Sequence, residues 1–242
     1  MIATLVSISL RGLLNRRRTL MLGLFAGLIV VVALLFRLAD QPPDESLAFT
    51  RQLLGNFGLA VLLPVVAVIV GTAAIGSELD DGTIIYLLAK PIPRSLVAIV
   101  KAAVAWLAVV ILVSPAMLVA GIVAMSGDAE LGIAYAGAAA FGALEYTAVF
   151  LALSLVTSRA LVVGLAYVVI WEGAVAGLFD GTRVLSVRQH ALAIAEAIGG
   201  DGAIDAALDL PTALIIGSII TIVAVVVAIR RLERVELRGE TG

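Results

Sequence analysis

The chain has 242 residues, of which 62% are hydrophobic and 14% charged, with a mean hydropathy of +1.16; soluble globular domains carry roughly a quarter charged residues, so that class is excluded. The length allows one membrane domain and leaves no room for a separate soluble catalytic domain. The net charge of −2 decides little; the absence of cysteine removes disulfides, thiolate metal sites and cysteine nucleophiles, and the single histidine, His190, cannot build a histidine-based metal centre.

Residues 1–18 place Ile2, Leu5, Val6, Leu10, Leu13 and Leu14 at helical spacing beside Arg11 and Arg16-Arg17-Arg18. This suits a helix lying in the headgroup plane; the plainer alternative is a flexible basic N-terminus. Apolar runs follow at 20–39, 57–77, 96–125, 131–157, 160–180 and 210–229. A bilayer core of about 30 Å needs roughly 20 helical residues, so each run is long enough to cross. Lipid offers the backbone no hydrogen bonds, and none of the runs alternates as a membrane barrel strand does, so all are read as helices. The first run is too long for a signal-peptide core and lacks a small-x-small cleavage site, which makes it a retained anchor. Pro64 and Pro115 should kink their helices without ending them. The fold class expected is therefore all-α: six transmembrane helices in a single domain, with an N-terminal interfacial helix.

Orientation follows from lysine and arginine. With the N-terminus cytosolic, twelve of these residues lie inside (Arg11, Arg16, Arg17, Arg18, Lys90, Arg94, Lys101, Arg159, Arg230, Arg231, Arg234, Arg238) and four outside (Arg37, Arg51, Arg183, Arg188). Both termini are then cytosolic. Residues 184–198 are too short and too polar to cross; within the external segment 181–209 they read as an interfacial or re-entrant helix. Gly23/Gly27 and Gly173/Gly177 are small-x-x-x-small pairs that would let helix backbones approach closely, or ordinary membrane composition.

The long polar interval on the cytosolic side is Glu78–Lys101, ELDDGTIIYLLAKPIPRSLVAIVK. Within loop 78–95, Thr83 is an N-cap candidate for a short helix from Ile84 to Ala89, and Pro91 and Pro93 stop it. Ile84, Ile85, Leu87 and Leu88 supply apolar contacts, with Glu78, Asp80 and Asp81 at the approach.

The pattern Glu78-x-x-x-Gly82-Thr83-x-x-x-Leu87-Leu88-x-x-Pro91-x-x-Arg94, followed by Lys101, resembles the first cytosolic loop of ABC transporter permeases of the type-2 exporter class. The six-span layout and short basic C-terminus are similar to that class as well. The resemblance implies that Glu78, Gly82, Thr83, Ile84, Ile85, Leu87, Leu88, Pro91 and Arg94 form a cytosolic coupling helix seated in a groove of an ATPase subunit. It further implies two copies of that ATPase, a second permease chain (a homodimer) and outward transport across the plasma membrane. The sequence lacks G-x-x-x-x-G-K-[ST], so the chain should not bind ATP, and ATP and Mg belong to the partner subunit. No cofactor, metal or nucleic acid is expected on this chain.

Glu145 and Glu172 lie mid-way along the fourth and fifth runs, 14 and 13 residues from Arg159. At ~1.5 Å per residue both sit about 20 Å from that turn, at matching depth. An ionised carboxylate there costs roughly 2.5–3.5 kcal/mol. Either these acids line a pathway or gate it, or each is neutral and hydrogen-bonded to a neighbouring span. An intramembrane enzyme or a secondary transporter using the same acids is the alternative function. It lacks converging catalytic groups: His190 reads as an interfacial side chain, and Ser114 and Ser154 have no nearby base.

Overall fold

The computed structural model describes residues 16–39, 42–80, 93–178, 180–200 and 204–234. Among them every element is helical, and six helices are long and apolar enough to cross a membrane. They are Arg17–Leu38, Glu45–Gly76, Arg94–Ala124, Glu130–Val156, Ala160–Leu178 and Leu210–Glu233, called here the first to sixth spans. The protein is thus an all-α, multi-pass membrane protein. The expected interfacial helix falls almost wholly on residues outside the described ones, and so do residues 81–92 of the polar loop.

The fourth span is the central pillar, packed against the second, third and sixth spans and against a helix from Val187 to Gly199. Leucine has no preference for protein over lipid tails, so close packing and interhelical hydrogen bonds must hold the bundle. Both join the third span to the fourth. Trp106 Nε1 donates to the carbonyl of Ala140 at 2.9 Å and Ser114 Oγ to that of Ala136 at 3.0 Å. Further along the same seam, a Cβ on Gly121 would fall 2.5 Å from the Cα of Gly132, so the two backbones touch. The pairs singled out by spacing behave differently. A Cβ on Gly23, Gly27 or Gly177 would meet nothing within 4 Å, and one on Gly173 only its own helix. Among the described residues, then, those glycines do not bring helices of this chain together.

Neither proline ends its helix. Proline has no N–H, and its ring crowds the carbonyl four residues back. Around Pro64 the helix accommodates this with a wide-turn (π) stretch, Leu53–Leu62, in which the N–H of Leu63 reaches back to the carbonyl of Gly58. A second wide stretch, Val168–Val175, carries Glu172.

Burial is uneven. Most residues in the apolar stretch of the second span are buried, whereas in the first, fifth and sixth spans most are not. The latter three present Leu24, Leu35, Val162, Val169, Ile215 and Ile222 outward.

After the fifth span the chain folds back on itself. Thr182 Oγ1 donates to the carbonyl of Val175 at 3.1 Å, and Trp171 Nε1 to that of Leu185 at 3.4 Å. The helix Val187–Gly199 then runs along the fourth span. It starts level with Gly142 and Glu145 and ends at Gly200, in left-handed conformation (φ 76°) beside Glu130. Glu145 is fifteen residues into the fourth span, about 22 Å from its start at 1.5 Å per residue. Because it doubles back along the fourth span to the level of Glu145, this helix is called the re-entrant helix below.

Candidate functional site

Two groups of polar side chains stand out in an otherwise apolar bundle. The first closes the roots of the polar loop. Glu78, at the end of the helix Leu63–Asp80 that continues the second span, and Lys101, two turns into the third span, form an ion pair in which Lys101 is almost fully buried. Lysine is rarely buried unless paired, and this pair fixes the distance between the two helices that carry the loop. Arg94, the first residue of the third span, donates to the carbonyls of Leu232 and Glu233 at 3.0 and 2.6 Å. These are orphan carbonyls at the C-terminus of the sixth span, where the helix dipole also favours a cation. The loop is therefore anchored to the second, third and sixth spans. Gly82, Thr83, Ile84, Ile85, Leu87, Leu88 and Pro91 lie outside the described residues.

The second group is buried. Glu145 and Glu172, matched in depth by residue counting, both bind the start of the re-entrant helix. Glu172 accepts from Ser186 Oγ at 2.5 Å, from the backbone N–H of Val187 at 2.9 Å and from Tyr167 Oη at 3.4 Å. Ser186 is also the N-cap, its hydroxyl accepting from the N–H of Gln189. The wide turn around Glu172 sets the helix register that aims its carboxylate at this cap. Glu145 Oε2 lies 2.9 Å from His190 Nδ1, and both side chains have zero exposure. Its other oxygen lies against the sixth span, where a Cβ on Gly217 would come within 2.5 Å of it.

His190 is therefore not an interfacial residue, as its place in a polar segment suggested; it is buried inside the bundle. Burial alone would lower its proton affinity. The hydrogen bond and charge of Glu145 outweigh that and hold the imidazole above the ordinary histidine range. Sequence reasoning found the two acids and missed the histidine, Ser186 and the burial of Lys101. One signal was present: Val187, His190, Ala191, Ile194, Ala195 and Ile198 form a single stripe at helical spacing, which places His190 on the apolar face.

The sequence matches the family described as ABC-2 family transporter protein over residues 14–179. None of the curated proteins compared with it matches. The matched segment holds the first five spans, the polar loop and both buried acids. The chain belongs to the ABC-2 transporter family: it is a membrane-embedded permease subunit of an ABC transporter, a transport subunit rather than an enzyme, in a family that works with an ABC ATPase.

Proposed function

We propose that this permease serves an ATP-driven exporter and docks a separate ATPase subunit through loop 78–95. In this reading the side carrying the loop is cytosolic, as are both termini, and the membrane is the plasma membrane. Gly82 and Thr83 start the coupling helix, Ile84, Ile85, Leu87 and Leu88 form its apolar contact face, and Pro91 ends it. ATP and Mg are bound by the partner. Two ATPase copies serve two permease chains.

One observation carries the proposal: both roots of the loop are bonded into the bundle, through Glu78–Lys101 and through Arg94 on the end of the sixth span. A load applied to a loop held in this way is passed to three spans, whereas a loop on free hinges would yield to it. Residue charge supports the orientation, since twelve of sixteen Lys and Arg fall on the loop side. The second permease chain is supported by Gly23/Gly27 and Gly173/Gly177, which bring together no helices of their own chain among the described residues and would let a neighbouring helix approach closely. Glu145 and Glu172 act in gating, by holding the re-entrant helix.

Co-purification tests the docking. The wild-type permease should retain its ATPase through a size-exclusion column, and a variant with Ile84→Asp and Leu88→Asp should lose it while remaining folded. Undiminished association of that variant would overturn the assignment of the docking face.

A further inference from the structure

The contact between Glu145 and His190 has a definite proton count. His190 Nε2 lies 2.9 Å from the carbonyl of Val184. A carbonyl can only accept, so Nε2 carries a hydrogen. Nδ1 faces Glu145 Oε2 at 2.9 Å. That contact is a hydrogen bond only if one proton lies between the two atoms, whether nearer nitrogen or oxygen. Without it a neutral imidazole has one N–H for two acceptors, Glu145 Oε2 and the Val184 carbonyl, so one of the two contacts sets lone pair against lone pair, with no water to screen it, since both side chains have zero exposure. A buried acceptor facing an acceptor loses its hydrogen bond and carries the full desolvation cost.

Among the described residues no other side chain is hydrogen-bonded to either of these two atoms. The titratable groups that act on His190 are Glu145 of the fourth span and Glu172 of the fifth, and Tyr146 and Tyr167 lie beside the same two acids. Tyr167 already points to Glu172. The sixth span offers Gly217, which has no side chain.

We propose that Glu145 and His190 form a buried proton-binding site: one proton, held between Oε2 and Nδ1, keeps the re-entrant helix seated on the fourth span, and its release to solvent unseats the start of that helix. The other fastening, Glu172 on Ser186 and Val187, needs no transferable proton and acts as the pivot. The place of the site in transport, as a latch midway along the bundle, rests on the permease reading above. The proton dependence of the helix does not.

The chain has no cysteine, so paired spin labels can be placed without background. Leu185→Cys, beside the start of the re-entrant helix, and Ile133→Cys, in the fourth span, are both exposed, at 51% and 53%. Their separation is measured by electron paramagnetic resonance on the full chain in lipid nanodiscs, from about pH 6 to about pH 9, across the range in which a histidine site titrates. One distance population is expected at the acid end, with a second growing as a single proton is lost. Glu145→Gln is the decisive variant. Its amide N–H donates to the Nδ1 of a neutral imidazole with no titrating proton, so it should keep the single population at every pH. A wild-type distance unchanged across the range, or a Glu145→Gln protein that titrates as the wild type does, would overturn the proposal. Either result leaves ATPase docking untouched.

Discussion

Arg94 reaches across the bundle to Glu233 and donates to its backbone carbonyl at 2.6 Å, although the two residues are 139 positions apart. The contact ties the start of the third span to the end of the sixth, on the side of the polar loop. Arg94→Ala should cost about 1 kcal/mol of stability, the scale of an exposed cation at a helix C-terminus. It should reduce ATPase stimulation by more than that small loss explains. Thermal unfolding read beside coupled hydrolysis separates the two effects.

Lys101 and Glu78 give a sharper test because Lys101 is buried. Lys101→Met strands a partly buried carboxylate and should cost about 3 kcal/mol, the low end for breaking a buried pair. The exchange Glu78→Lys with Lys101→Glu should recover part of that cost. Chemical denaturation in detergent measures both. An exchange no more stable than Lys101→Met would show that the pair does not act as a unit.

The bundle itself can be probed at glycine. Gly121→Ala pushes a Cβ into the backbone of Gly132, and should cost about 1–3 kcal/mol as an overpacked contact. Gly23→Leu and Gly27→Leu meet open space among the described residues and should leave monomer stability within about 0.5 kcal/mol. If a second permease packs there, the same substitutions should shift the oligomer toward monomer. Analytical ultracentrifugation alongside thermal melts tests both statements.

At the buried acids, Glu172→Gln keeps one acceptor oxygen but sets an amide N–H against either Ser186 or Val187, both of which already donate. The expected cost is about 1–3 kcal/mol, that of an unsatisfied buried donor. His190 adds a pH dependence to stability. Its proton affinity is raised in the fold, so its contribution is complete below the ordinary histidine value of about 6.5 and is lost as pH rises through the folded one. The melting temperature should fall on that alkaline limb and be flat there in His190→Gln. A wild-type melting curve level across the same range would remove this contribution.

The six spans are legible in the sequence because length and hydropathy are sufficient to define a crossing helix. Counting from Arg159 also placed Glu145 and Glu172 at one depth, and the structure brings both onto the start of one helix. What they hold was hidden by the polarity of residues 184–198 as a segment, which draws attention from the apolar stripe containing His190. The glycine contacts were hidden for a different reason. Gly121 and Gly132 lie on different helices, so no spacing rule joins them, while Gly23 and Gly27 satisfy the rule and a Cβ on either meets none of the described residues within 4 Å. The Arg94–Glu233 contact is a matter of tertiary register, which no local pattern carries.

The central claim is that loop 78–95 passes a partner's nucleotide cycle into the bundle, and ATP hydrolysis in proteoliposomes tests it most directly. The ATPase is assayed alone, with wild-type permease, and with permease carrying Leu87→Asp and Leu88→Asp. The account predicts hydrolysis stimulated several-fold by the wild type and unchanged from the ATPase alone with the variant, at equal permease content and equal melting temperature. Full stimulation by the variant would contradict it.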